Sequence, residues 1–277
     1  RLGGMAAAVL LALSGLAADW PMWQHDAGRT AAGTERLGDR LELLWTLPLP
    51  ALEPCWEDVV NQDRMPFDSQ YEPVVAGGVM VLASNRDDSV AAYDLASGRE
   101  RWRVSTEGPV RFAPVLHEGR VHAVSDDGWL YTWGLDDGAL LWRMRGGRDD
   151  RRVLGNRRLV SAWCARGGPV LLDGILYFGA GIWPFMGTAI HAVDPASGRT
   201  IWMQGMLGEL YVKQPHAGAE SFGAVAPQGA FAAAGDRLVV PNGRSVPAVL
   251  RRLDGELMHF HLDGTTLHTV GGSIDRK

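Results

Sequence analysis

The chain has 277 residues, of which 46% are hydrophobic and 21% charged, with a formal net charge of −5. These proportions exclude a disordered chain, and the acidic balance excludes the basic field that nucleic acid recruits. Thirty-five glycines and 11 tryptophans combine many tight turns with many large apolar plates, the balance of a repeated all-β architecture.

Residues 1–18, RLGGMAAAVLLALSGLAA, read as a secretory signal: Arg1 as the remnant of a basic leader, an apolar run from Met5 to Leu13, then Ala17 and Ala18. The run is too short for a permanent membrane helix, so the expectation is an exported protein, periplasmic or secreted, and not an integral membrane protein. Residues 19–42 follow as an N-terminal segment containing WPMW. His25 and Asp26 could form an acid–base pair there, but a structural role is favoured. The segment around Trp45, ELLWTLP, has the form of a lone outer strand.

Four units of roughly blade length come next, at 71–105, 111–145, 168–205 and 229–262. Within 111–145, RFAPVL, RVHAVS, WLYTWGL and ALLWRMR are four short strands separated by HEG, DDG and DDG. Four strands in about 40 residues, joined by glycine turns, is the signature of a propeller blade. Inner strands such as GVMVLAS are apolar on both faces, as in a sheet held between two sheets. RERWRV alternates, as an outer strand half in water should. Three phrases recur at the third turn: AYDLASGRERW (92–102), TWGLDDGALLW (132–142) and AVDPASGRTIW (192–202). Each places a glycine four residues before a tryptophan. Asp and Ser suit the turn, glycine supplies positive φ, and the indole has a fixed place between blades. Trp45, Trp102, Trp142 and Trp202 are therefore structural fasteners. In the last unit Arg251 stands where Asp would be, and His259 takes the tryptophan slot.

The phrase AxDxxSGxxxW resembles the tryptophan-docking repeat of the pyrroloquinoline quinone (PQQ)-type, or quinoprotein-like, β-propellers, over roughly residues 20–264. The resemblance implies an N-terminal strap over 19–42 whose WPMW packs on a blade, and four-stranded antiparallel blades, with about four full blades and one extra outer strand in 43–277. Propellers of this family often have eight blades, so the chain is expected to be part of a larger one, cut at both ends. The fold hosts quinone-dependent dehydrogenases, outer-membrane assembly scaffolds and binding modules, so it leaves function open.

Strand order sorts the connections onto two faces. The turns between first and second, and third and fourth, strands are uniformly short. The connections at the other end hold every insertion: 51–70, 146–167, 181–188, 206–228 and 241–247. Long loops on a rigid scaffold are where binding residues gather. The candidate ligand-binding residues there are Arg64, Gln70, Arg157, Trp183, Gln214, His216, Gln228, Asn242 and Arg244. Arg157 and Arg158 also read as solvated, Trp183 as a rim anchor before Pro184, and Arg244 as a tie between loop carbonyls.

The family's enzymes stack PQQ on a tryptophan, hold Ca²⁺ with carboxylate and amide oxygens, and use an Asp as base. Many also carry two adjacent cysteines. Cys55 and Cys164 are not adjacent and form no CxxC, which excludes zinc-ribbon, c-type haem and vicinal-disulfide readings. They are either bridged or, the favoured reading, two buried thiols. Asn61, Asp63 and Asp68 offer oxygens within a single loop. His259 and His261 have metal-pair spacing without a third ligand, and His117 and His122, flanking a turn, are expected to be solvated. No metal ligand and no catalytic residue is assigned. The expectation is a noncatalytic, exported propeller that binds a protein partner or a small ligand on its long-loop face. The alternative is a fragment of a PQQ- and calcium-dependent alcohol or sugar dehydrogenase.

Overall fold

The computed structural model describes residues 18–36, 39–52, 70–155, 158–208, 211–213, 220–223, 225–242 and 246–260. Residues 1–17, Cys55, Asn61, Asp63, Arg64, Asp68, Arg157, Gln214, His216, Arg244 and His261 lie outside that set.

Four antiparallel blades follow one another, with each strand beside the next in sequence. The first holds β1 (Val74–Ala76), β2 (Val79–Ser84), β3 (Ser89–Asp94) and β4 (Glu100–Ser105). The second holds β5 (Val115–His117), β6 (Arg120–Val124), β7 (Trp129–Gly134) and β8 (Leu140–Arg145). A separate hairpin, β9 (Arg152–Gly155) and β10 (Arg158–Ser161), precedes the third blade. That blade holds β11 (Gly167–Leu172), β12 (Ile175–Ala180), β13 (Ala189–Val193) and β14 (Thr200–Gln204). A second hairpin, β15 (Tyr211–Lys213) and β16 (Glu220–Phe222), leads to β17 (Gly229–Ala230), which adds to β11 in parallel. The fourth blade is β18 (Ala232–Ala234), β19 (Arg237–Val240), β20 (Ala248–Arg251) and β21 (Leu257–His259). The two hairpins lie in insertions read above as plain loops. Among the described residues no helix is long and apolar enough to cross a membrane.

Transverse rows show how the sequence builds each blade. Val74–Val81–Ala92–Trp102 are partners across blade one, and Val115–His122–Thr132–Trp142 across blade two. Val170–Tyr177–Ala192–Trp202 cross blade three, and Ala232–Val239–Val249–His259 cross blade four. Each row ends on the outer strand, and in all four blades that strand carries a one-residue bulge just before the row residue, at Arg101, Leu141, Ile201 and Met258. Each indole then meets a glycine of the next blade: Trp45 at Gly98, Trp102 at Gly138, Trp142 at Gly198 and Trp202 at Gly255. A Cβ on any of these glycines would lie 2.6–2.8 Å from the ring. Three indole N–H groups donate to the turn ahead, Trp45 to Leu95, Trp102 to Leu135 and Trp202 to Arg252. Trp142 Nε1 is buried without an acceptor, and Pro195 holds the corresponding place in its turn. Trp45 occupies its slot from an extended segment that pairs with no strand among the described residues.

His122 corrects the expectation of a solvated ring. It is fully buried between blades two and three, because the turn exposes His117 while strand alternation sends His122 inward. Its Nδ1 meets Thr132 Oγ1 at 2.7 Å, and its Nε2 is buried without a partner.

The N-terminal segment closes the inner edges of the blades. Trp20 exchanges both backbone hydrogen bonds with Val75, at 2.7 and 2.8 Å. Pro21 O accepts from Leu116 N, and Ala27 O from Ala233 N. Arg29 donates to Phe231 O, Pro169 O and Trp23 O. One short segment thus satisfies inner-strand groups of all four blades, groups that an open edge would leave to solvent or to another chain. His25 and Asp26 approach only to 3.8 Å, and Asp26 binds Thr30.

Candidate functional site

A cleft of about 250 Å³ opens on the long-loop face. Its walls come only from connections at that end of the blades. Arg111 lies between blades one and two. The β9–β10 hairpin and Arg166 lie between blades two and three. Ile182 and Trp183 cap blade three, and Gln228 precedes blade four.

The floor is an arginine pair locked by a buried carboxylate. Arg111 Nε donates to Asp126 Oδ2 at 2.7 Å; Arg166 Nε and Nη2 donate to Oδ1 and Oδ2 at 2.9 and 2.8 Å. The side chains of Asp126 and Arg111 are only 1% and 5% exposed. Burial opposes ionisation of Asp126, but the charges of Arg166 and Arg111 outweigh it and hold the carboxyl below its ordinary range. Its neighbour Asp127 goes the other way. Burial raises its pKa, although the hydroxyl of Tyr131 and the amides of Trp129 and Glu107 donate to it. The tight turn from Asp126 to Gly128 separates the two roles.

The hairpin forms the opposite wall with Val153, Leu154 and Val160. Leu154 faces Leu159 across the hairpin, and both are exposed. Ion pairs of Arg152 with Glu107 and Arg158 with Asp88 tie the hairpin to the connections around blade one. Arg151 stacks over Trp163 at 5.0 Å, and Trp163 donates to Met186 O. Cys164 lines the cleft as a buried thiol donating to Ser161 O. Burial, then the charge of Asp126, push its pKa up to about 12, so it is protonated at neutral pH and unsuited to nucleophilic attack.

Of the residues singled out from the sequence, Trp183 and Gln228 share this cleft. Trp183 is 50% exposed and 6.2 Å from Phe185. Gln70 lies in a separate narrow crevice that also touches Arg111. Asn242 is buried and its amide is engaged internally: Oδ1 accepts from Ala226 N and Nδ2 donates to Val246 O. It clamps two loops together. Sequence reasoning missed Arg111, Asp126 and Arg166. Arg111 sat at the head of an expected strand and Asp126 in a DDG turn. The signal was a charge opening RFAPVL, an otherwise apolar run.

Among the described residues no group of three His, Cys, Asp or Glu could hold a metal ion, and Asp126 is committed to two arginines. Asn61, Asp63 and Asp68, the oxygen donors singled out from the sequence, lie outside the described residues.

Comparison with curated proteins finds no match. Among solved structures, the quinohemoprotein alcohol dehydrogenase of Comamonas testosteroni is similar at 15% identity and a TM-score of 0.62. The match covers 88% of this chain and 41% of that one. The quinohemoprotein alcohol dehydrogenase ADHIIG of Pseudomonas putida HK5 is similar at 16% identity and a TM-score of 0.53, covering 69% and 33%. The chain thus spans less than half the length of either, and at these identities the likeness is one of fold. The family described as outer membrane protein assembly factor BamB matches residues 22–206, more than half of the chain. With its four-stranded blades and recurring glycine–tryptophan phrase, the chain belongs to that PQQ-like β-propeller family.

Proposed function

We propose that the chain is an exported, noncatalytic propeller module that holds a protein partner or small ligand on its long-loop face. One observation carries this reading: the long connections, both extra hairpins, the cleft and an exposed apolar cluster of Leu154, Leu159, Trp183 and Phe185 share that end of the blades. Exposed apolar patches rimmed by arginine mark interaction surfaces. The description of the matched family as an assembly factor supports a binding role, and residues 1–18 support export to the periplasm or beyond. On this reading 19–42 serves as a strap and 43–277 as the blades. Arg64, Gln70, Arg157, Trp183, Gln214, His216, Gln228 and Arg244 then contribute to the binding face. A photo-crosslinking side chain at 183, compared with one at 140 on the outer strand, tests it in cell envelopes. Adducts should form at 183, be absent at 140, and disappear when Leu154 and Leu159 become Asp. Equal labelling at both positions would defeat the face assignment.

A second reading, a PQQ- and calcium-dependent alcohol or sugar dehydrogenase, is favoured by one feature, the arginine floor beside Trp183. Titration with PQQ and Ca²⁺ followed by dye reduction decides it. An unchanged absorbance spectrum without reduction would remove it.

A further inference from the structure

We infer that the cleft beneath the β9–β10 hairpin binds a carboxylate carrying an apolar body of about one amino-acid residue. The inference rests on the long-loop face being the binding face, and it names the chemistry of the occupant. Three arginines line the cleft, Arg111, Arg158 and Arg166, and no Asp or Glu does among the described residues. Two carboxylates steady them from behind: both oxygens of Asp126 are engaged by Arg111 and Arg166, and Asp88 pairs with Arg158, which leaves three guanidiniums against two carboxylates. This arrangement fixes the guanidinium planes before any ligand arrives, which lowers the ordering cost of binding an anion. Arginine forks suit a carboxylate in particular.

The remaining wall selects against a bare inorganic anion. Val153, Val160, Ile182 and the Trp183 indole face the same space. A phosphate or sulfate would leave that apolar surface wet, whereas an aromatic or branched side chain would cover it. The volume of about 250 Å³ corresponds to about eight waters at liquid density, which accommodates one large apolar side chain with its carboxylate. Two sources supply this chemistry, a free apolar acid and the C-terminal residue of a polypeptide.

Calorimetry on the full chain tests the inference with N-acetyl-phenylalanine, its C-terminal amide, 4-phenylbutyrate, and a pentapeptide ending in Phe as acid or amide. Each acid should bind at least tenfold more tightly than its matched neutral analogue, and added salt should weaken only the acids. A pentapeptide acid tighter than 4-phenylbutyrate assigns a chain terminus, and the reverse order assigns a free acid. Arg166→Gln should weaken the acids at least tenfold. Because that change also strips Asp126 of a partner, Trp183→Ser at the half-exposed rim provides the variant that keeps the fold. It should weaken acid and amide alike by several-fold with an unchanged melting temperature. Equal binding of acid and amide, no binding of either, or an unaffected Trp183→Ser overturns the inference. If these fail while crosslinking at 183 persists, the cleft chemistry is wrong and the face assignment stands; if both fail, both fall.

Discussion

At Gly138 two demands meet on one absent carbon. Its φ of +69° disfavours any side chain, and a Cβ would stand 2.8 Å from the Trp102 ring of the preceding blade. Gly119, in the same blade, has φ +71° but open space around a Cβ. Gly119→Ala should therefore cost about 1 kcal/mol for the strained backbone alone, and Gly138→Ala about 2–4 kcal/mol once overpacking is added. Chemical denaturation of the two variants checks this, and equal losses would mean that the indole contact contributes nothing. A second residue-scale prediction concerns acid. His122 is buried and its pKa is lowered to about 3, first by burial and then by His117 and Arg120. The unfolded chain binds a proton near pH 6.5 that the folded chain refuses. Stability is thus intact above that pH and falls as pH drops toward 3, at up to about 1.4 kcal/mol per unit. His191, also lowered by burial, adds in the same direction, and Asp126 does so at lower pH as its depressed carboxyl titrates. Blade one fills the equivalent row positions with Val81 and Ala92. His122→Val with Thr132→Ala should therefore flatten the loss between pH 6 and 4, measured by urea midpoints, and an unchanged slope would exonerate the ring.

The N-terminal segment works as an element because its backbone, more than its side chains, completes the blades. Arg29 is the exception: burial lowers its pKa to about 10, against the favourable charges of Glu72 and Asp26, yet it remains charged and donates to three carbonyls. Arg29→Ala strands those acceptors and should cost about 3 kcal/mol or more. Hydrogen exchange should quicken at Val75, Leu116 and Ala233, whose amides bond to backbone carbonyls of this segment, before it quickens in β2 or β12. Uniform loss of protection would argue against a local closing role. The β9–β10 hairpin is held differently. The exposed Arg152–Glu107 pair is one of its ties, and such pairs contribute at most about 1 kcal/mol. Glu107→Lys should leave the melting temperature nearly unchanged while exchange across 152–161 quickens several-fold, and adding Arg152→Glu should restore it. The hairpin could have been read from VLGNRRLV, where Gly-Asn stands between two apolar pairs. It was not, because each apolar run is only two residues long and arginines surround it. The blades were legible for the opposite reason. Glycine turns at short, regular spacing leave only four-stranded units, and the outer strand alternates as β4 does, with Trp102 buried between exposed neighbours. The arginine floor was not legible, since Arg111 and Arg166 are 55 positions apart and meet only through Asp126.

At the scale of the molecule, the second blade is shared by two cores. Leu116, Val121 and Tyr131 pack with blade one, while Val115, Val124 and Leu130 pack with blades three and four and with Met22 and Ala27 of the N-terminal segment. Strand alternation makes this sharing unavoidable, because adjacent residues such as Val115 and Leu116 point to opposite neighbours. Neither core can be lost without stripping one face of blade two, so the four blades should unfold together even though they are arranged in series. Leu130→Ala, at a fully buried site, removes contacts from the larger core and should cost about 2–5 kcal/mol, a large share of an ordinary domain's stability. Calorimetry should show that loss as one transition shifted to lower temperature. If blades one and two instead melted separately from blades three and four, the N-terminal segment and blade two would not couple the cores. The cleft, whose walls come from the connections around all four blades, would then open at the temperature of its weaker half, which acid-probe binding followed through the melt would reveal.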